Sequence, residues 1–254
     1  MTKILVTGSS DGIGKETALE LARAGAEVIV HGRNRARAEA AAGDVPGAQA
    51  WICDFGSLEE VRDAAGKLPA GIDVLINNAG VYLQQRQVTK DGYETTFQVN
   101  HLAHFLLTNL LLPSMSEGAR IVNVSSQVHL GAEIDWDDLM AEKSWSGYRA
   151  YGQSKLANLL FTRELARRQN KATVNALHPG VIGTKLLQSG FGSMGGGSLQ
   201  RGAETAVYLA TSKEVEGLTG KYFANSHEAS PSPRALDGEA ARRLWDVSAR
   251  LCRM

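Results

Sequence analysis

Residues 3–14, KILVTGSSDGIG, decide the fold class, because a short apolar run passes directly into a turn with three glycines. Lys3–Thr7 predicts a strand, Gly8–Gly12 a turn, and Ile13–Ala24 a helix that Gly25 can end. The G-x-x-x-G-x-G spacing allows a tight turn and a close approach of a ligand to the backbone. The N-terminus of the following helix attracts a pyrophosphate. On the first strand of a sheet this pattern favours a nucleotide site, although such a turn can also be only a turn.

The alternation of short apolar runs and helical stretches continues along the chain. We predict strands at Val28–His31, Ala48–Ile52, Asp73–Ile76, Arg120–Val124 and Thr173–Leu177, and helices at Arg35–Ala42, Ser57–Lys67 and from Tyr151 to Arg168. Uninterrupted apolar strands separated by helices are typical of a parallel sheet covered on both faces. Right-handed crossovers then give one doubly wound α/β domain over residues 1–254, with its ligand crevice at the carboxyl ends of the strands.

Composition and charge exclude several classes of protein. The 254 residues include 27 basic side chains (Lys and Arg) and 27 acidic ones (Asp and Glu). This balance of charge does not indicate a nucleic-acid or membrane-surface partner. Two cysteines are too few for a disulfide framework or a cysteine-based metal site. The N-terminus lacks a basic segment followed by an apolar stretch, and the most apolar segment, Phe105–Leu112, is far shorter than the ~20 residues of a membrane span. We expect a soluble, cytoplasmic protein.

The second strand ends in HGRN, residues 31–34, and this sequence bears on the choice of cofactor. An acidic residue near this point would bind both hydroxyls of an adenosine ribose. Arg33 is suited instead to a 2′-phosphate, which favours NADP over NAD, unless it is only a solvated side chain of an arginine-rich helix. Asp54 follows the third strand and Asn77–Gly80 follows the fourth, where the crevice is expected.

Tyr151 and Lys155 lie four residues apart, which puts them on one helix face. An ammonium beside a phenol lowers the phenol pKa from about 10, toward the range in which tyrosine can exchange a proton near neutrality. The same spacing also fits a helix-surface tyrosine beside a solvated lysine, so the pair needs supporting residues.

Such residues occur in order along nearly the whole chain: residues 7–14, Asn77–Gly80, Ser126, Tyr151 with Lys155, and His178–Gly180. In this order and spacing the chain resembles the short-chain dehydrogenase/reductase family. The segments FQVNHLAHFLLT (residues 97–108) and GKYF (residues 220–223), with the later Leu244-Trp245, are similar to its retinol-dehydrogenase-like branch. The resemblance implies an NAD(P)-dependent oxidoreductase that interconverts an alcohol and a ketone or aldehyde by hydride transfer.

The resemblance also implies the roles of individual residues. Tyr151 would be the general acid and base, while Lys155 would bind the nicotinamide ribose and lower the pKa of Tyr151. Ser126, with Ser125 as the alternative, would hydrogen-bond the substrate carbonyl, and Asn100 would hold a water in a proton relay. The expected cofactor contacts are Gly8, Ser10, Asp11, Gly12, Ile13, Gly14, Arg33, Asn34, Asp54, Phe55, Asn78, Ala79, Gly80, Tyr151, Lys155, Pro179, Gly180, Val181 and Thr184.

No metal is expected, because the chemistry needs none. His101 and His104, three residues apart, are interpreted as packing within their helix, since no third ligand accompanies them. His178 is interpreted as loop structure.

Two segments are expected to border the substrate. The insert Gln127–Ala150 is predicted to be irregular and, with its two tryptophans, to shape one wall of the pocket. The glycine-rich stretch Gln188–Gly202, within a substrate loop of about residues 185–202, is either a mobile lid or a loop without a gating role. A lipophilic substrate is favoured by the apolar residues Leu186, Leu187, Phe191 and Met194.

Two further expectations concern assembly and a rival function. The resemblance suggests a homodimer or homotetramer, with helices near Asp91–Leu112 and Tyr151–Arg168 at the interface. The rival function is a regulatory protein that senses NADP without turnover. The set of Asn100, Ser126, Tyr151 and Lys155 argues against it, because a pure binder has no need of a proton relay.

Overall fold

The computed structural model describes residues 1–191 and 195–254, and within them eight strands form one sheet in the order β3-β2-β1-β4-β5-β6-β7-β8. Strands β1 to β7 pair in parallel, and β8 pairs antiparallel with β7. The strands are β1 (Lys3–Val6), β2 (Glu27–Gly32), β3 (Gln49–Ile52), β4 (Val74–Asn77), β5 (Ala119–Val124), β6 (Ala172–His178), β7 (Tyr222–Ala224) and β8 (His227–Glu228).

Helices cover both faces of this sheet. They are α1 (Gly12–Arg23), α2 (Arg35–Asp44), α3 (Leu58–Ala65), α4 (Thr95–Phe97), α5 (Ala103–Leu111), α6 (Gly147–Arg168), α7 (Lys185–Phe191), α8 (Leu199–Thr211) and α9 (Gly238–Leu251). A π-helical segment, Gln98–Leu102, joins α4 to α5. One apolar core packs α3, α5, α6 and α9 on the sheet, and a second packs α1, α2 and α8 on the opposite face. The predicted doubly wound α/β fold is confirmed.

The differences from the predicted elements lie at short or glycine-rich segments. Strands β7 and β8, of three and two residues, were not predicted, because so short a run has no clear period. Residues 147–150, expected to be irregular, form the first turn of α6, which Ser146 caps by accepting the N–H of Arg149. The expected loop is also partly helical, since its ends belong to α7 and α8. Met194 lies outside the described residues, as do the side chains of Leu187 and Phe191.

The C-terminal helix α9 lies across α5 and α6. The Trp245 ring centroid is 4.9 Å from that of Phe105 and 6.0 Å from that of Phe161. His101 Nε2, in the π-helical segment, is 2.9 Å from Ser248 Oγ on α9. At these positions the helices that were expected at a subunit interface are covered by their own chain.

Candidate active site

The glycine turn after β1 lies directly against the end of β4. Gly8 and Gly12 have φ of +64° and +58°, the left-handed region that favours glycine. A Cβ atom at Gly8 would lie 2.7 Å from the Ala79 Cα, and one at Gly14 would lie 2.4 Å from both Asn78 Nδ2 and the Gly8 carbonyl oxygen. The glycine spacing therefore serves two needs, the turn itself and its close contact with residues 78–79.

Asn78 and Ala79 hold this turn through hydrogen bonds. Asn78 Nδ2 donates to the carbonyl oxygens of Thr7 (2.8 Å) and Gly8 (3.2 Å). The Thr7 hydroxyl oxygen accepts the backbone N–H groups of Asn78 (2.8 Å) and Ala79 (3.0 Å). The predicted cofactor residues Asn78 and Ala79 thus shape the site by positioning the glycine turn.

His31, at the end of β2, also supports the turn and was not predicted to do so. Its Nδ1 accepts the Gly8 N–H (2.8 Å), and its Nε2 lies 3.0 Å from the Cys53 carbonyl oxygen. Burial lowers the pKa of His31 to about 4. The ring is therefore neutral near pH 7, and the Nε2–H tautomer satisfies both contacts. A histidine inside an otherwise apolar strand, directly before the glycine of HGRN, was the available signal.

The residues predicted to contact the adenosine part of the cofactor differ in their exposure to solvent. Arg33 is exposed just beyond β2, and the Asp54 carboxylate, half-buried beyond β3, accepts the Gly56 N–H (2.9 Å). The Asn34 side chain caps α2. Phe55 is only 3% exposed, with its ring stacked on His31 at 4.4 Å between centroids. Arg33 and Asp54 remain open to a ligand, whereas the Phe55 side chain faces the protein.

Helix α6 carries the central pair. Tyr151 is 7% exposed, and the Ser126 side chain lies beside its hydroxyl. Lys155 Nζ donates to the Val124 carbonyl oxygen (3.0 Å) and lies 5.5 Å from the Tyr151 ring centroid. Ser154, between them in the sequence, was not singled out; its hydroxyl donates to the Tyr151 carbonyl oxygen (2.7 Å).

The proton affinities of the pair differ from the expectation. Burial raises the pKa of Tyr151 to about 12, against the opposing effect of the Ser126 hydrogen bond. Burial lowers the pKa of Lys155 to about 8. As the pH rises, Lys155 therefore loses its proton before Tyr151 does, and no ammonium remains where the phenol would ionise. The prediction that an adjacent ammonium lowers the Tyr151 pKa is wrong for the protein alone, because burial raises that pKa.

The two adjacent serines have different partners. Ser125 is buried and donates to the Lys155 carbonyl oxygen (2.8 Å), so its hydroxyl is used within the protein. Ser126 is half-buried and faces the Tyr151 hydroxyl. This geometry favours Ser126 over Ser125 as the serine that meets a substrate.

Asn100 lies in the π-helical segment, behind this pair. Its Nδ2 donates to the Ser154 hydroxyl oxygen (3.0 Å), which joins it to the helix that carries Tyr151. A Cβ atom at Gly80 would lie 3.5 Å from Asn100 Oδ1 and 3.6 Å from Lys155 Nζ. A group bound over Gly80 would meet an ammonium and an amide oxygen, so this cradle suits the ribose of a nicotinamide cofactor. π-Helical turns often occur at functional sites.

The buried histidines are accounted for by packing. His104 Nδ1 is 3.0 Å from the Asn100 carbonyl oxygen, within the helix as expected, and its Nε2 is 3.0 Å from the Thr7 hydroxyl. His101 contacts Ser248 on α9 instead. Burial lowers the pKa of His101 to about 4 and that of His104 to about 3. The interpretation of His178 as loop structure is wrong, because it is the half-buried last residue of β6, and burial lowers its pKa to about 4. Within residues 1–191 and 195–254, no group of three His, Cys, Asp or Glu side chains could hold a metal ion.

The insert before α6 packs its two tryptophans on other parts of the chain. The Trp136 ring lies 4.3 Å from the Arg243 guanidinium on α9, and Trp145 Nε1 donates to a Glu94 carboxylate oxygen (3.4 Å). A cavity of ~250 Å³ is formed by the insert and the start of α6, with Arg149 and Gln153 in its lining but not Tyr151. An aromatic side chain that was not predicted to be near the site, Tyr82, lies beside Tyr151 at 5.6 Å between ring centroids.

The segment after β6 is held close to part of the glycine-rich stretch. Gly180 has a φ of +92°, and beyond it the Val181 carbonyl oxygen accepts the Gly197 N–H (2.8 Å). The Gly183 N–H donates to the Gly197 carbonyl oxygen (3.1 Å). A Cβ atom at Gly196 would lie 2.3 Å from the Gly183 nitrogen. These glycines allow two backbones to pair next to Thr184, a predicted nicotinamide contact.

Comparisons with known proteins agree with this arrangement. The short chain dehydrogenase family matches residues 2–194. Retinol dehydrogenase 13 of Homo sapiens is 44% identical over 276 residues, which cover 98% of this chain and 83% of that protein. A solved structure of an uncharacterised Mycobacterium paratuberculosis protein is 36% identical, with a TM-score of 0.88 over 100% of this chain and 94% of that chain. A blue fluorescent protein from a metagenomic library, solved in complex with NADPH, is 28% identical, with a TM-score of 0.71 over 88% of this chain and 94% of that chain.

Proposed function

The chain belongs to the short-chain dehydrogenase family, in its retinol-dehydrogenase-like branch, and from that premise we propose how its own residues carry the family's chemistry. Membership makes it an NAD(P)-dependent oxidoreductase acting on alcohol and carbonyl groups, so the enzyme class predicted from the sequence is confirmed. Beyond this we propose Tyr151 as the general acid and base, NADP as the preferred cofactor and a lipophilic substrate.

The proposed mechanism rests on one observation, the Ser126 side chain beside the Tyr151 hydroxyl, next to the Gly80 cradle. When bound, the cofactor supplies or accepts the hydride. In reduction, Ser126 orients the carbonyl oxygen and Tyr151 donates its proton as negative charge develops there. With a pKa of about 12 for Tyr151 and about 8 for Lys155, both are protonated at neutral pH, the state that reduction needs.

Lys155 and Asn100 are proposed to bind the cofactor ribose and to return a proton to Tyr151. The Lys155 ammonium would hold the ribose over Gly80 and restore the proton of Tyr151, through a water held by Asn100. Lys155 points toward this cradle while still donating to the backbone of β5. Lys155 can bind the ribose and the backbone carbonyl at the same time, because an ammonium has three donor hydrogens.

The test follows the absorbance of the reduced nicotinamide over a panel of apolar aldehydes, ketones and alcohols. We expect turnover with wild type and a loss of ~100-fold or more with Tyr151→Phe, because general acid–base catalysis contributes ~10²–10⁴-fold. Cofactor binding should persist. Tyr148→Phe, on the same helix but 51% exposed, is the matched control. Tight cofactor binding with no turnover over the whole panel would favour the NADP sensor instead.

The preference for NADP is supported by Arg33, which is exposed at the end of β2 where an acidic residue would favour NAD. We expect Arg33→Asp to lower the ratio of kcat/KM for NADP over NAD by about tenfold or more, since a hydrogen bond to a charged group contributes ~1.5–3 kcal/mol. Arg35→Asp is the control, because that exposed arginine pairs with Glu39 at 3.0 Å. Equal effects of both variants would contradict the assignment.

The lipophilic substrate is supported by the name of a relative, since retinol is an apolar alcohol. We also propose that residues 185–202 act as a lid, of which residues 185–191 and 195–202 are described. The lipophilic substrate is tested by the same panel, in which short polar carbonyls should be the poorer substrates. A preference for those compounds would contradict the lipophilic substrate.

Assembly and location stay predictions. Because α9 covers parts of α5 and α6, we propose that any homodimer or homotetramer uses another surface. In the described ranges, no helix combines the length and apolarity needed to cross a bilayer. The cytoplasmic location is compatible with Cys53 and Cys252, which are both free thiols.

A further inference from the structure

The backbone next to Tyr82 is fixed by the relay residue Asn100. Asn100 Oδ1 accepts the Val81 N–H (2.8 Å), and Asn100 Nδ2 donates to the Val81 carbonyl oxygen (3.0 Å). Asn100 is fully buried, so this pair of bonds holds the residue before Tyr82 in one orientation. The position of the Tyr82 side chain is thereby coupled to the catalytic site.

The Tyr82 ring fills the gap between the start of α6 and helix α7, beside Tyr151. Its ring is tilted 56° to the Tyr151 ring at 5.6 Å, within the range of favourable aromatic pairs. A Cβ atom at Gly147 would lie 3.1 Å from its Cε1 and Cζ atoms. One at Gly190 would lie 2.9–3.1 Å from its Cδ2, Cγ and Cε2 atoms. Glycine at both contacts lets the ring lie flush against two backbones.

Helix α7, on the other side of this ring, is attached by exposed polar contacts. Gln84 Nε2 donates to the Ser189 carbonyl oxygen, one residue before Gly190. At the other end of α7, Lys185 pairs with Asp11 of the cofactor turn at 2.5 Å, and both side chains are largely exposed. Exposed ion pairs contribute little to stability, because water and salt screen their charges. These two described contacts of α7 are exposed to solvent, whereas the backbone beside Tyr82 is held by the buried Asn100 side chain.

From this geometry we propose that Tyr82 is a specificity-determining residue that narrows the approach to the Tyr151 hydroxyl. A carbonyl oxygen must reach that hydroxyl, yet Tyr151 is only 7% exposed and the Tyr82 ring lies 5.6 Å from the Tyr151 ring between centroids. A compound with hydrogen on one side of its carbonyl carbon can pass the ring. A compound with two bulky substituents meets the ring with one of them. The proposal deepens the oxidoreductase function proposed above and rests on it.

The test compares kcat/KM for an unbranched aldehyde and for a ketone of the same carbon number with two branched substituents. Wild type should prefer the aldehyde. Tyr82→Ala should shift the ratio toward the ketone by about tenfold or more, the effect of one or two methylene groups in a fitted pocket. Tyr82→Phe keeps the ring and should keep the wild-type ratio. Tyr148→Ala, an exposed tyrosine on α6, should also keep it.

A binding measurement separates this proposal from the function on which it rests. Calorimetric titration with two unreactive carbonyl probes, a primary alkyl carboxamide and its N,N-diisopropyl derivative, needs no turnover. Wild type should bind the first more tightly, and Tyr82→Ala should bring the two affinities together. Wild type that turns over no carbonyl but keeps this difference would refute the oxidoreductase function and support the role of Tyr82 in selecting ligands. A Tyr82→Ala variant that changes both compounds equally, in turnover or in binding, would overturn that role.

Discussion

Replacing Lys155 with methionine should stabilise the folded protein while removing its activity. Lys155 is buried, and the lowering of its pKa from 10.5 to about 8 means that the fold disfavours its charged form. At 1.36 kcal/mol for each factor of ten in proton affinity, this penalty is about 3 kcal/mol at neutral pH. Methionine is unbranched and of similar length, so it can fill the same space without a charge.

The substitution also removes a hydrogen bond, and this loss partly offsets the gain in stability. Lys155 donates to the Val124 carbonyl oxygen, and removing that bond costs about 1 kcal/mol. The carbonyl keeps a second donor, Asn158 Nδ2 at 3.3 Å, so it is not left without a partner. The net expectation for Lys155→Met is a gain of about 2 kcal/mol at pH 7, or roughly 4–8 °C in Tm for a chain of this size.

The gain in stability from Lys155→Met should also fall as the pH rises. Below pH 8 the charged Lys155 is present in both folded and unfolded wild type, and the penalty is complete. Between pH 8 and 10.5 the unfolded state binds more protons than the folded state, so wild-type stability rises with pH. The advantage of Lys155→Met should therefore fall to near zero by about pH 9.5.

Urea unfolding of both proteins at these two pH values checks the prediction. Lys90→Met replaces an exposed lysine and should change the free energy of unfolding by less than about 0.5 kcal/mol at either pH. A Lys155→Met protein that is less stable than wild type at pH 7 would refute the reasoning. So would a gain of the same size at both pH values, because desolvation of the ammonium would then not be its source.

Two further substitutions test the cofactor turn and the C-terminal helix. Gly14→Ala adds a Cβ atom 2.4 Å from Asn78 Nδ2, so fluorescence titration should show cofactor affinity reduced by more than about tenfold, the effect of ~1.4 kcal/mol of steric strain. In Gly43→Ala the added atom meets nothing within 4 Å, and unchanged affinity is expected there; equal losses would argue against the packing of this turn. Trp245→Ala should destabilise the protein by about 3 kcal/mol in calorimetry, because the ring packs on α5 and α6. A Tm equal to that of wild type would mean that α9 is not docked as described.

The elements that the sequence predicted well are those with local signals. Strands β1 to β6 are apolar runs bounded by turns, and each was predicted to within two residues of its position. The glycine turn is encoded in residues 7–14, and Tyr151 and Lys155 share a helix face through their spacing alone. Strands β7 and β8 were missed, because three and two residues carry too little pattern to be distinguished from a loop.

By itself, the sequence determined the fold class, the family and the shared helix face of Tyr151 and Lys155, because each depends on the order and spacing of residues along the chain. Only the tertiary structure decided the pKa of Tyr151 and of Lys155, because desolvation depends on what surrounds a group and not on its neighbours in sequence. The same holds for the hydrogen bonds of His31 to residues 22 or 23 positions away. It also holds for the contact of Tyr82 with Tyr151, whose rings lie 5.6 Å apart between centroids although the residues are far apart in the sequence.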